Sequence, residues 1–300
     1  MQITNIIGGL GNQMFQYAFA LSLKEKMPEE EVLIDASHFH TIFFHHYKRG
    51  MNLHQGYELE STFPNLSLKQ AKWHQLMRVT WFIPNYVLSR IARKYLPKLK
   101  SEFIEPSEKV YEFLPEVYNS SKNRYFEGYW QSVKYSEIVR QKLFYEFQHP
   151  EPDEYNHKMI EQIKASDSVG MHIRRGDYVS NKGFGGICDL DYYKRALKYI
   201  ENKESKTFYI FSNDIQWCRE NLQPLLGGAE VVYVIENKGK KSHWDMFLMT
   251  YCKSLIIANS SFSWWGAVLN HNVDVLVIAP SRWNNFLEKA DIYRDSWIRV

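Results

Sequence analysis

Three hundred residues are long for one domain and comfortable for two, and 45% hydrophobic with 24% charged residues is an ordinary globular composition. A net charge of +3 is too small to argue for nucleic acid, yet it is compatible with an anionic ligand. The three cysteines, Cys188, Cys218 and Cys252, are widely spaced with no CxxC or Cys/His cluster, which argues against a disulfide scaffold or a zinc site and fits a reducing compartment.

In chain order, residues 3–7 form a short β-branched run, followed by Gly8-Gly9-Leu10-Gly11, a helical pattern over 14–26 and a second strand pattern over 31–35. A strand, a glycine turn, a helix and a strand open a doubly wound α/β domain. From 60 to 150 the pattern reads as mostly helical, interrupted by Pro84, Pro97, Pro106 and Pro115. The segment 149–154, with two prolines and three acids, reads as a linker. Beyond it strand patterns at 168–173, 207–212, 230–235, 254–258 and 274–279 alternate with helical ones at 191–202, 214–225, 243–251 and 262–270. That alternation predicts βαβ units and a parallel sheet. Two α/β domains, 1–150 and 151–300, facing across a cleft are the expected architecture.

The N-terminus lacks a signal-peptide pattern, and no apolar run reaches the roughly 18 residues of a membrane span; the chain reads as cytoplasmic. Residues 73–100 mix Trp73, Trp81, Phe82 and Tyr86 with Arg78, Arg90, Arg93, Lys94, Lys98 and Lys100. A basic, aromatic helix of this kind is either a solvated surface helix or a peripheral membrane contact. The 16% aromatic content suits sugar rings as well as ordinary cores.

Ligands of parallel α/β sheets bind beyond the carboxyl ends of the strands, and unusual polar groups fall there repeatedly. The strand at 168–173 runs into Arg174-Arg175-Gly176-Asp177, the one at 207–212 into Asn213-Asp214, and the one at 254–258 into Asn259-Ser260-Ser261-Phe262. Paired guanidinium forks suit a diphosphate, with surface salt bridges as the alternative. A helix opening at Ser260 and Ser261 offers free N–H groups to phosphate, with plain N-capping as the alternative. The glycine loop is an incomplete dinucleotide fingerprint, because Met14 stands where a third glycine belongs, and no P-loop run occurs.

The runs GGLGNQMFQYAFA (8–20), HIRRGDY (172–178), YIFSNDIQWC (209–218) and DMFLMTYCKSLIIANSSFSWWGAVLN (245–270) resemble those of the α-1,2-fucosyltransferases of glycosyltransferase family eleven. The resemblance implies a GT-B-like fold of two Rossmann-like domains, with the acceptor side and glycine loop in the first and the nucleotide in the second. It implies inverting transfer of fucose from GDP-β-L-fucose to a terminal β-galactoside, with a sugar nucleotide and a glycan as partners and no required metal or other cofactor. By the same resemblance Arg174 or Arg175 contacts the diphosphate, His172 and Asp245 contact guanine, and Ser260, Ser261 and Phe262 lie along the nucleotide. Asn12, with Gln13 beside it, reaches the donor from the glycine loop; Asp214 and Asn259 belong to the donor-side strand ends. Arg175 stabilises the leaving group. Asp177 is the first candidate for the base and His172 the second, while Asp177 could instead orient an arginine. Two other readings compete: a metal-dependent glycosyltransferase using the DxD of Asp189 and Asp191, and a non-catalytic glycan-binding protein.

Overall fold

The computed structural model describes residues 1–39, 56–82, 86–119 and 122–300, apart from the side chains of residues 86, 87, 90, 94 and 177. Pro84 lies outside the described residues, as do the side chains of Tyr86, Arg90, Lys94 and Asp177. The chain divides into two compact units: Met1–Gln148 with Lys289–Tyr293, and His149–Glu288 with Arg294–Val300.

The first unit contains β1 (Gln2–Asn5), α1 (Leu10–Lys26), β2 (Val32–Asp35), α2 (Leu59–Thr62), β3 (Lys69–Gln70), α3 (Trp73–Leu76), α4 (Tyr86–Tyr95), β4 (Glu102–Ile104), β5 (Arg124–Glu127), α5 (Val133–Ile138) and α6 (Arg140–Glu146). Its sheet runs β3-β2-β1-β5-β4 and every pairing is parallel. In the centre Ile3 stands opposite Leu33 on one side and Tyr125 on the other. Helix α1 is buried on every side from Gln13 to Leu23, as expected of a helix apolar around its circumference. Lys24 and Lys26 complement the negative end of its dipole.

The reading of 60–150 as mostly helical is corrected here, because β3, β4 and β5 all lie inside it. At two to four residues they are too short to display a period-two alternation, and tertiary pairing decides their state.

The second unit contains α7 (Glu154–Ala165), β6 (Ser168–Ile173), α8 (Leu190–Leu197), β7 (Thr207–Ser212), α9 (Ile215–Trp217), β8 (Glu230–Val234), α10 (His243–Met249), β9 (Ser254–Ile256), α11 (Ser261–Val268), β10 (Leu276–Ala279) and β11 (Ile298–Arg299). The sheet order is β11-β10-β9-β6-β7-β8, again all parallel. β6, buried at every residue, packs Val169, Met171 and Ile173 with Tyr192, Tyr193, Ala196, Phe208 and Ile210. Near-continuous apolar strands are the signature of a parallel sheet covered on both faces.

The proline- and acid-rich segment read as a linker holds a helix start. Asp153 caps α7, accepting the Asn156 N–H at 3.0 Å. The helix expected over 214–225 is broken after α9 into wider and tighter turns ending at Leu226, with Pro224 at the start of the last. Among the described residues no helix is long and apolar enough to cross a membrane.

Candidate active site

The second sheet gathers its polar groups at one edge. β6 ends in His172 and Ile173 and turns sharply at Gly176, whose φ of +47° favours glycine. A Cβ there would stand 2.5 Å from Asn213 Nδ2. Asn213 in turn accepts the Arg175 backbone N–H at 2.9 Å, so the end of β7 dictates how the chain leaves β6.

Arg175 is held on three sides. Its Nε donates to Asp214 Oδ2 at 3.1 Å, and its guanidinium lies 4.1 Å from the centre of the Trp217 ring. Asp214 uses its other oxygen to cap α9, accepting the Trp217 N–H at 3.2 Å, and its own N–H donates to Ser212 Oγ at 2.9 Å. Asp214 therefore orients Arg175. Arg174 lies over Tyr178, 5.3 Å from the ring centre, and Tyr178 stacks on Phe184. The side chain of Asp177, the candidate base, lies outside the described residues.

His172 is buried, with its carbonyl accepting from Tyr193 Oη at 3.1 Å and its ring 5.8 Å from Phe262. Its Nδ1 is buried without a hydrogen-bond partner among the described residues. Burial, reinforced by Arg174, pushes the imidazole pKa down to about 3. The ring is thus neutral at ordinary pH, suited to one hydrogen bond with a ligand and weak as a base.

At the third strand end, Asn259 is committed to the fold. Its Nδ2 donates to the carbonyls of Phe184 and Trp283 at 3.2 and 3.3 Å, while its Oδ1 accepts from Cys188 at 3.4 Å. Burial pushes the Cys188 thiol up to about 12, so it stays a thiol donor. Ser260 occupies the N-cap of α11, yet its side chain accepts nothing from the first turn. Plain capping by Ser260 does not explain that serine, and the helix start keeps N–H groups that no side chain among the described residues satisfies.

Asp245 sits in the first turn of α10, half-buried. One oxygen accepts from Asn237 Nδ2 at 3.0 Å; Asn237 and Asn156 exchange side-chain hydrogen bonds at 2.9 and 3.1 Å; and Asn156 donates to Asp153 at 2.8 Å. Burial pushes the Asp245 carboxyl up to about 7, with Asn237 opposing the shift. No donor among the described residues satisfies its second oxygen. Asn213 stands at a strand end that the sequence marks, while Asn237 and Asn156 lie in no motif. Asn213 directly precedes Asp214 at a strand end and was legible there, whereas the asparagine pair joins positions 81 residues apart and left no local signal.

In the first unit, Gly8 has φ +81°, and a Cβ there would meet Asn12 Nδ2 at 2.8 Å. Gln13 is fully buried and structural: it donates to the carbonyls of Gly8 and Gly56 at 2.8 Å each and accepts the Glu58 N–H at 2.9 Å. Asn12 is half-buried and accepts from Gln131 Nε2 at 2.7 Å.

The DxD pair is built as a helix start. Asp189 caps α8 by accepting the Tyr192 N–H at 2.8 Å, and Asp191, exposed, pairs with Lys194 at 2.9 Å.

The chain is similar to several curated proteins and to a solved structure. An O-antigen biosynthesis glycosyltransferase, WbnK, of Escherichia coli is 32% identical over 98% of both chains. An alpha-1,2-colitosyltransferase of Escherichia coli is 30% identical over 99% of this chain and 98% of its own. The galactoside alpha-(1,2)-fucosyltransferase 2 of Gorilla gorilla gorilla is 28% identical over 90% of this chain and 69% of its own. The crystal structure of the fucosyltransferase NodZ from Bradyrhizobium aligns with a TM-score of 0.50 at 13% identity, covering 89% of this chain and 91% of that one. That likeness is one of fold, and the fold is α/β and GT-B-like. The model of the family described as "Glycosyl transferase family 11" matches residues 84–300, and the chain, a glycosyltransferase, belongs to that family.

Proposed function

We propose that the protein transfers L-fucose from GDP-β-L-fucose to the 2-hydroxyl of a terminal β-galactoside, with inversion to an α linkage. The observation that carries this reading is Arg175, fixed by Asp214, Asn213 and Trp217 just past β6, whose neighbour β9 leads into the start of α11, where Ser260 makes no side-chain cap bond. Both features supply positive charge where a departing diphosphate accumulates negative charge, and preorganised charge is commonly the largest catalytic term. The acceptor oxygen attacks the anomeric carbon opposite the diphosphate. The bond from that carbon to the β-phosphate oxygen breaks, and its electron pair leaves with GDP. Asp177 takes the hydroxyl proton; His172, neutral and buried, is left to hydrogen-bond the nucleotide.

Asp245 selects the base. Its unsatisfied oxygen suits guanine N1–H and the 2-amino group, a donor pair that adenine and uracil do not present. Ser260, Ser261 and Phe262 lie along the nucleotide. With Arg175 and the helix start meeting the diphosphate charge, the reaction requires no divalent metal.

A specific relative also favours a second donor: colitose, the 3-deoxy analogue of L-fucose, is the sugar named for one of the E. coli proteins. A donor panel separates the readings. GDP-fucose, GDP-colitose, GDP-mannose and UDP-galactose are each incubated with lactose, and nucleotide release and disaccharide consumption are followed. Turnover with GDP-fucose well above the others supports the proposal; preference for GDP-colitose or UDP-galactose overturns the donor assignment, and no turnover with any donor overturns the assignment of a terminal β-galactoside as acceptor.

A further inference from the structure

We propose that the outer face of α3 and α4 in the first unit docks on the surface of an anionic lipid bilayer. The charge of the chain is distributed very unevenly. Residues 61–101 hold eight of its 37 Lys and Arg and none of its 34 Asp and Glu, leaving 29 basic residues against 34 acidic ones elsewhere. A stretch without a single acid, in a chain otherwise net negative, concentrates one sign of charge. Of the acids that reach it from outside, Glu31 at Gln75 and Glu102 at Thr80 meet neutral side chains and Asp35 meets the buried Arg93, so its exposed cations stay unpaired among the described residues.

The apolar residues of this stretch fall into two sets. Leu76, Val79, Ala92 and Ser89 are buried, and Arg93 anchors α4 inward: it donates to Tyr125 Oη at 2.9 Å and lies 3.9 Å from Asp35. The second set faces away from these anchors. Trp73, Met77 and Trp81 recur at four-residue spacing, Leu88, Ile91 and Tyr95 at helical spacing, and all are between 36% and 71% exposed. Trp81 joins the two stripes by donating from Nε1 to the Pro97 carbonyl at 2.9 Å.

Lys72, Arg78, Lys98 and Lys100 border the stripes, all exposed, and none is paired with an acid among the described residues. Large apolar side chains amid unpaired cations, with Trp and Tyr among them, are what an interfacial surface needs. The rings and aliphatic groups enter the headgroup boundary while Lys and Arg meet anionic lipid. A neutral protein partner would match the apolar stripe and leave the charge asymmetry without a role.

The test is co-sedimentation of the full chain with vesicles of phosphatidylcholine alone and of phosphatidylcholine mixed with phosphatidylglycerol. The wild type is expected to bind the mixed vesicles and to be released by salt. Arg78→Ala/Lys98→Ala/Lys100→Ala should lower the partition constant on the order of a hundredfold, and Leu88→Ser/Ile91→Ser should weaken binding as well. Both variants should keep the wild-type melting temperature and wild-type transfer to a soluble galactoside, which separates this surface from the donor site. Equal binding to both vesicle types, no binding to either, or variants that bind as the wild type does would overturn the proposal. So would a self-associating wild type that these substitutions make monomeric, since the face would then be covered by a second copy of the chain.

Discussion

Replacing Asp245 by Asn tests guanine recognition through two opposite effects of one substitution. Burial raises the Asp245 pKa from the ordinary carboxylate range to about 7, so the folded state prefers the neutral acid. A raised pKa contributes stability at low pH that is lost as pH rises from about 4 through about 7. The difference between about 4 and about 7, at 1.36 kcal/mol per tenfold, bounds that loss at about 4 kcal/mol, and partial exposure reduces it to roughly 1–3 kcal/mol. Asn is neutral at every pH and can still accept from Asn237. Asp245→Asn should therefore melt with the wild type near pH 4 and above it at pH 8. Binding should move the other way. Guanine's donor pair favours the carboxylate, so wild-type affinity for GDP should fall as pH drops below 7, while the variant binds weakly at all pH. A hydrogen bond to a charged group contributes about 1.5–3 kcal/mol, or roughly 10–150-fold in Kd. Calorimetric titrations of GDP, ADP and UDP beside thermal melts, at pH 5 and pH 8, provide both readouts. An Asp245→Asn variant that binds GDP at pH 8 as tightly as the wild type would refute the reasoning.

Other substitutions probe the leaving-group side. Arg175→Ala should fold normally and lose on the order of 10²–10³ in kcat; Arg175→Lys, lacking the planar fork, should recover little of it, and near-normal turnover in the alanine variant would remove Arg175 from the mechanism. Transfer measured in excess EDTA should equal that with Mn²⁺ present; activity restored only by metal would return attention to Asp189 and Asp191. Asn259→Ala leaves a buried and a half-buried carbonyl without their donor and should lower stability by about 1–3 kcal/mol in denaturant melts; an unchanged midpoint would show that those bonds are not stabilising.

The second unit was legible because its strands are long and its polar residues cluster in sequence at strand ends. β6 and β7 match the expected spans residue for residue, and Arg174, Arg175, Ser260 and Ser261 each sit next to the strand or helix that places them. In the first unit β3 holds only Lys69 and Gln70, and no periodicity exists in two residues. What the sequence hid was contact between distant positions. Residues 289–293 return to the first unit, where the Asp291 carbonyl accepts the Val133 N–H, and nothing local to them announces it. Gln13, which stands in the glycine loop, is occupied by backbone groups of Gly8, Gly56 and Glu58. Asn259 likewise stands within a polar strand-end motif but holds the carbonyls of Phe184 and Trp283. A motif marks a place where structure is constrained, and only the hydrogen-bond partners tell whether the constraint serves the ligand or the loop.

The central claim is the bond the enzyme makes. Proton NMR of the product from GDP-β-L-fucose and lactose, recorded early in the reaction, reads both the anomeric configuration and the attachment point. The account predicts an α-fucosyl anomeric proton with a nuclear Overhauser contact to the proton at position 2 of galactose. A β signal, or attachment at any other hydroxyl, would contradict it.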